Sequence, residues 1–245
     1  MITIQEIQRK TSELVAAEPS QRQTILTELA CIAPELVPST PLFSVPLRDG
    51  TILYMRQLDY PMAVRLTFGV PYNQSLPALF RQYSGTGWPN PELDIFRTTV
   101  VAVDKKHYNV CSQFEFSVVI TNQDATQAVA FHLVNAEKEG LYGRMIVVDE
   151  HFRGQNLAFL MLAFQAEYAT RYGVAGDLEH KKPIHLLKHK GHNTTISTQR
   201  LLQKIGYSAF RQDPNDKDYW QVAEHPATIL KRVKELGYRE KGVYF

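Results

Sequence analysis

The sequence predicts an α/β (α+β) fold, and three features of its pattern carry that expectation. Leu42–Leu47 and Thr51–Leu58 flank Arg48-Asp49-Gly50, the turn chemistry of a β-hairpin. Phe114–Ile120, Ala128–Val134 and Leu141–Val148 follow one another through short polar turns, as an antiparallel meander does. The last of these strands then passes through a turn at Arg153-Gly154 into a long amphipathic helix. That helix carries Leu157, Leu160, Met161, Phe164 and Tyr168 at helical spacing, with Gly173 as its stop.

The other elements follow from the same rules. Ile4, Ile7, Leu14 and Val15 give a first helix closed by Pro19, and Ser20 with Gln23 matches a capping box for a second. Residues 1–37 therefore read as an α-hairpin, whose bland role is packing or homodimerisation. Five prolines between Pro61 and Pro91 limit residues 60–97 to short helices and loops. Thr98–Val103 and Ile184–Leu187 are short strands. Ile196, Leu201, Leu202 and Ile205 lie on a helix that Asn193 to Thr195 can cap and Gly206 ends. Ser208–Phe210 and Tyr219–Val222 form a last strand pair, and a final helix follows Pro226.

Composition excludes several classes. With 245 residues, 44% hydrophobic and 21% charged, the chain describes an ordinary globular protein of one large domain, or one domain with an appended helical element. A net charge of +2 argues against nucleic acid as the partner. Cys31 and Cys111 have no Cys or His at ligand spacing, so neither a disulfide framework nor a metal is expected. The N-terminus lacks a signal-peptide pattern, and no run approaches the ~18 apolar residues of a membrane span. A cytoplasmic protein without a membrane partner is the expectation.

The chemistry lies in Met145–Gly173. A strand feeding a helix through a small-residue turn aims unpaired N–H groups at one point, and the helix dipole adds partial positive charge there. Such a turn suits a phosphate-bearing ligand. Ile146, Val148, Arg153, Gly154, Gln155, Asn156, Leu157 and Ala158 resemble the acyl-CoA motif of the GCN5-related N-acetyltransferase (GNAT) superfamily: an apolar strand ending in Val, four residues, then Arg-Gly-x-Gly-x-Gly/Ala opening a helix. Leu201–Tyr207, LLQKIGY, resembles the family's Leu-Tyr-x-x-x-Gly-Phe ending, with Asn193 upstream. Arg56, Leu58 and Asp59 resemble its opening strand and helix start.

The resemblance spans roughly residues 50–222. It implies a mixed, mostly antiparallel twisted sheet flanked by helices, with an N-terminal helical extension (1–41), an acyltransferase domain (42–222) and a C-terminal helix and tail packed on the core (223–245). It also implies transfer of an acyl group, acetyl by default or a longer chain, from acyl-CoA to a small-molecule or peptide amine, with no metal. Ile146, Val147 and Val148 would hold pantetheine by backbone pairing. The backbone from Arg153 to Ala158, through Gly154, Gln155, Asn156 and Leu157, would hold pyrophosphate, and Asn193 would orient the acyl end.

Two departures stand out. Asn156 replaces the motif's second Gly, although Asn tolerates unusual dihedrals. Leu202 occupies the place where the family often carries a Tyr that protonates the leaving thiolate. His192 is the preferred proton-handling residue and Tyr142 the alternative donor; His132, Glu139 and His189 are weaker candidates. His189 and His192 raise a metal reading that no third ligand supports. Arg56, Lys188, Lys190, Lys204 and Arg211 could favour a 3′-phosphate, each being by itself an ordinary surface charge. The rival function is a GNAT-like module that binds acyl-CoA or a partner without transferring the acyl group.

Overall fold

The structure is a computed structural model and describes residues 3–69, 75–84, 96, 117–137, 140–171, 174–175, 181–182, 186–239 and 242–243. Thr98–Val103, Phe114–Phe116, Glu139, Ile184 and His185 lie outside the described residues. Eight strands join in one sheet in the order β1-β2-β3-β4-β5-β8-β10-β9. These are β1 (Pro41–Pro46), β2 (Ile52–Gln57), β3 (Val118–Thr121), β4 (Ala128–Glu137), β5 (Gly140–Val148), β8 (Leu186–His192), β9 (Arg211–Asp213) and β10 (Asp216–Glu224). Two small sheets pair β6 (Val174–Ala175) with β7 (Lys181–Lys182), and β11 (Tyr238–Arg239) with β12 (Gly242–Val243). The large sheet is mixed and mostly antiparallel, with a parallel pairing of β5 to β8.

The chain forms two compact units, one of residues 1–131 with 147–155 and the other of residues 132–146 with 156–245. In the first, α1 (Ile4–Ala16) and α2 (Pro19–Ile32) pack on each other and on α3 (Tyr60–Phe68). The α-hairpin is present, but Ser20 does not cap its second helix. Pro19 opens α2 behind Glu18, and no side chain caps it; the fixed φ of proline suits the first helical position, which places Ser20 inside the helix rather than at its cap. Asp59 caps α3 by accepting from Met62 N–H at 2.9 Å. Phe80 of α4 (Ser75–Ser84) stacks on Phe131 with centroids 5.7 Å apart.

Arg56 is a correction to the expectation of a phosphate ligand. It is buried, and its guanidinium donates to Thr121 Oγ1 (3.2 Å), Gln123 O (2.8 Å) and Ser39 O. Its charge is consumed in tying the β1–β2 hairpin to the turn after β3. Arg65 works alongside it, donating to the carbonyls of Pro34, Leu36 and Ala125 at 3.0–3.2 Å.

In the second unit, α5 (Leu157–Arg171) is buried nearly all round rather than on one stripe. The sequence LAFLMLAFQAEYATR has few polar positions, and α7 (Pro226–Glu235) packs on α5. Tyr238 donates to Glu167, whose carboxylate also meets Arg171 at 3.0 Å. The helix α6 (Ile196–Lys204) buries Leu202 and exposes Ile196. The strand expected at Ser208–Phe210 forms three residues later, at Arg211–Asp213, because Arg211 is the first residue to pair with β10, opposite Gln221. No helix among the described residues is long and apolar enough to cross a membrane.

Candidate functional site

The turn after β5 is built by short-range bonds. Asp149 N–H donates to Val129 O at 2.8 Å, and its side chain accepts from His151 N–H at 2.9 Å, closing the 3-10 turn Glu150–Phe152. Gly154 then takes φ +80° and Asn156 φ +61°, both left-handed. Asn is the non-glycine residue best suited to that region, so the departure at the motif's second Gly keeps the backbone path a glycine would give. Leu160 N–H donates to Asn156 O at 3.0 Å as α5 begins. No acceptor among the described residues meets the N–H groups of Gly154, Gln155, Asn156, Leu157 or Ala158. A Cβ placed on Gly154 would find nothing within 4 Å among the described residues. Arg153 is exposed there, whereas Leu157 points into the core. These donors and the start of α5 suit an anion such as a phosphate.

The parallel pair β5–β8 is short. Gly140, Leu141, Tyr142 and Gly143 face Leu186, Leu187, Lys188 and His189, and the register ends there. Yet β5 runs on to Val148 and β8 to His192. Beyond Gly143 the two strands part inside the sheet, which leaves Arg144–Ile146 of β5 with backbone groups on that edge for another extended chain.

Strand alternation puts Tyr142, Lys188, Lys190 and His192 on one face, with Tyr219, Gln221 and Arg211 in register beside them. A cleft of about 480 Å³ opens on it, lined by Tyr142, Lys188, Lys190, Arg211 and Gln221 among others. Lys190 meets Asp213 at 2.9 Å, and that bond holds the Asp213 carboxyl below its ordinary range and the Lys190 ammonium above its own. The Lys190 ammonium also lies 4.8 Å from the centroid of the Tyr219 ring.

His192 stands at the end of β8. Its Nδ1 accepts from Thr194 N–H at 3.2 Å and lies 2.7 Å from Thr194 Oγ1. A ring nitrogen that accepts an N–H carries no proton, so the neutral imidazole bears its hydrogen on Nε2. Its carbonyl accepts from Trp220 Nε1 at 3.0 Å. Four residues separate His192 from Lys188, the register partner of Tyr142, which is about 13 Å of strand. The two proton-handling candidates share a face without meeting. Asn193 donates from its amide to Lys217 O at 2.9 Å and fixes the β8–β10 end.

The opposite face holds His189, which lies three residues from His192 and so points the other way. The two histidines do not converge, and no group of metal-ligating side chains occurs among the described residues. His189 is buried, with Nε2 3.1 Å from the Tyr207 hydroxyl and its ring stacked on His132 at 5.8 Å. Burial pushes the His189 imidazole down to about 4. Burial, and then His189, pushes His132 well below the usual histidine range, while burial raises the Tyr207 phenol. Neither ring nitrogen of His132 has a hydrogen-bond partner among the described residues. Gly143 was the sequence signal for this cluster, since a glycine inside a strand marks close approach.

No protein-family model matches the chain, and no curated protein matches it in sequence. By structure the chain is similar to the GNAT domain of S. lividans PAT, at 14% identity and TM-score 0.49, over 74% of this chain and 95% of that one. It is similar to the ribosomal-protein-S18-alanine N-acetyltransferase from Escherichia coli at 14% identity and TM-score 0.44, over 71% and 93%. The PaiA N-acetyltransferase from Thermoplasma acidophilum, solved with coenzyme A, is similar at 9% identity and TM-score 0.44, over 71% and 98%.

Proposed function

We propose that the chain is an acyl-CoA-dependent N-acyltransferase of GNAT type. The observation that carries this is the turn from Arg153 to Ala158, where two left-handed residues leave consecutive N–H groups without acceptors among the described residues at the start of α5. Those donors would hold the pyrophosphate, and the free edge of β5 around Ile146 would pair with the pantetheine. Acyl-CoA supplies a thioester whose C–S bond breaks as the amine's C–N bond forms. The acceptor ammonium must first lose a proton, to water or a basic group in the cleft. The departing sulfur then takes a proton, for which Tyr142 Oη and His192 Nε2–H are the donors on this face. Backbone N–H groups of β5 beside the parting strands would stabilise the oxyanion. The acyltransferase assignment covers residues 42–222 in a cytoplasmic protein acting on a small-molecule or peptide amine. Residues 1–41 serve packing or homodimerisation, and 223–245 pack on the core.

One observation favours the non-catalytic rival. Leu202 is 1% exposed in the core, so α6 offers no proton donor there. The test is release of free thiol from acetyl-CoA and longer acyl-CoAs across a panel of amines, beside calorimetric CoA binding. Asn156→Asp keeps the left-handed backbone but places a carboxylate where the phosphates would lie, so it should weaken CoA binding about tenfold or more. CoA binding without thiol release for any pairing overturns the enzyme in favour of the module. Absence of CoA binding overturns both the enzyme and the acyl-CoA-binding form of the module.

A further inference from the structure

His192 is held through its backbone and through its ring. Its carbonyl accepts from three donors: Trp220 Nε1 at 3.0 Å, Thr195 N–H at 2.9 Å and Thr195 Oγ1 at 2.6 Å. The indole lies across β8 to reach it. A Cβ on Gly191 would stand 2.4 Å from Cζ2 of Trp220 and 2.9 Å from Thr195 Oγ1, so a glycine there leaves the ring its place. On the other side Asn193 N–H donates to Asp218 O at 2.8 Å, beside the bond from its amide to Lys217 O. The imidazole itself has two further contacts. Thr194 meets Nδ1 with its hydroxyl at 2.7 Å and its N–H at 3.2 Å, and the Tyr219 ring stands perpendicular to the imidazole with centroids 5.3 Å apart. Nε2 meets no acceptor among the described residues, on a half-buried side chain. A functional group is placed well when its neighbours fix its rotamer in this way.

We infer that Thr194 is a positioning residue, whose hydroxyl and N–H hold His192 as the neutral Nε2–H tautomer on the face it shares with Tyr142. The hydroxyl is the nearer of the two donors and the one that depends on the residue at 194. An imidazole held like this donates through Nε2 and does not take the acceptor's proton there. Its part is a hydrogen bond to the atom on which negative charge develops. The inference rests on the acyltransferase reading for that reaction, whereas the tautomer stands on the hydrogen bonds alone.

The test is Thr194→Val, which keeps the shape and the N–H and removes the hydroxyl, beside Thr194→Ser, which restores it. Long-range proton–nitrogen NMR at about pH 8.5, above the ordinary histidine range, reads the tautomer, with His192→Gln to identify the signals. Thiol release from acetyl-CoA over the amine panel gives kcat and KM. In the parent the proton should be on Nε2 alone. Thr194→Val should move the Nδ1 resonance toward that of a ring averaging both tautomers. It should also lower kcat about threefold or more with the KM for acetyl-CoA unchanged, and Thr194→Ser should restore both readouts. Because Thr194 acts through His192, Thr194→Val should lower kcat no further in the His192→Gln protein. A proton on Nδ1 in the parent, a spectrum that Thr194→Val does not move, or a fall in kcat that persists in His192→Gln overturns the inference while transfer stands. A moved resonance with unchanged kcat overturns it too, and leaves His192 as the cap of the turn before α6. No thiol release from any amine in the parent overturns the acyltransferase reading and the positioning role with it, and the spectrum tells this failure from the others.

Discussion

Gly143 and His189 stand opposite each other on β5 and β8 with no room for a methyl group between them. A Cβ on Gly143 would lie 2.3 Å from Cε1 and 2.4 Å from Nδ1 of the His189 ring, and 2.9 Å from Nε2 of His132. Both rings are buried and one is anchored to Tyr207, so neither can swing aside cheaply.

Gly143→Ala should therefore destabilise the protein by about 1–3 kcal/mol, the range for overpacking a filled site. Urea unfolding of the variant and of Gly143→Ala with His189→Ala measures this. The second change should recover part of the loss if the ring is the obstacle. A single variant that unfolds at the parental midpoint would show that the strands can spread.

The same cluster makes stability depend on acidity. His189 titrates near 4 in the folded protein, and His132 is also held well below the usual histidine value near 6.5. The unfolded chain therefore binds more protons than the folded one below about pH 6.5, so stability falls as the pH drops through that point. For His189 the loss continues to about pH 4, below which both states are protonated. Each neutral buried histidine contributes a slope approaching about 1.4 kcal/mol per pH unit. His132→Leu removes one of the two, and with it two nitrogens that have no partner among the described residues, so it should flatten the acid limb without loss of stability at pH 7. Denaturant titrations between pH 4 and 7 check both points, and an unchanged slope would contradict the burial account.

Legibility in the sequence followed the range of the forces involved. The β1–β2 hairpin was readable because Asp49 accepts from Thr51 N–H at 2.9 Å and Gly50 takes φ +87°, both decided within the turn. The turn after β5 was readable for the same reason, whereas the helix start at Asp59 was expected only from the resemblance. Arg56 was not: its acceptors on residues 39, 121 and 123 are brought to it by strand pairing. Burial of α5 on all sides depends on α7, about sixty residues further on, although the all-round apolarity of Leu157–Arg171 was a visible hint. In the candidate site the turn was local, whereas the face shared by Tyr142, Lys188 and Arg211 arises from the register of four strands.

The left-handed backbone at Asn156 gives a graded series. Asn156→Gly removes the Cβ from a conformation that disfavours it and should leave stability equal or slightly higher, with CoA affinity retained. Asn156→Ala keeps the Cβ without the side-chain amide and should cost about 1 kcal/mol. Thermal melts with and without CoA measure the order Gly, Asn, Ala. A parental melting point for the Ala variant would mean that the turn relaxes out of the left-handed region.

Tyr142 and His192 make separable predictions because about 13 Å of strand lies between their positions. Tyr142 is half-buried at the last register pair but one, beside the parting of β5 and β8, where a thioester would be presented. His192 keeps Nδ1 on Thr194 and offers Nε2–H from the end of β8, so in its neutral form it can donate but not accept through that nitrogen. If the thiolate is protonated at the parting point, Tyr142→Phe should lower kcat about 10²-fold, with the KM for acyl-CoA unchanged. His192→Gln, which also retains a donor, should then lower it by less. The reverse order would move proton delivery to the strand end. Equal and small effects in both variants, with a rate that follows buffer concentration, would assign the proton to solvent, which a thiolate leaving group tolerates better than an alkoxide does.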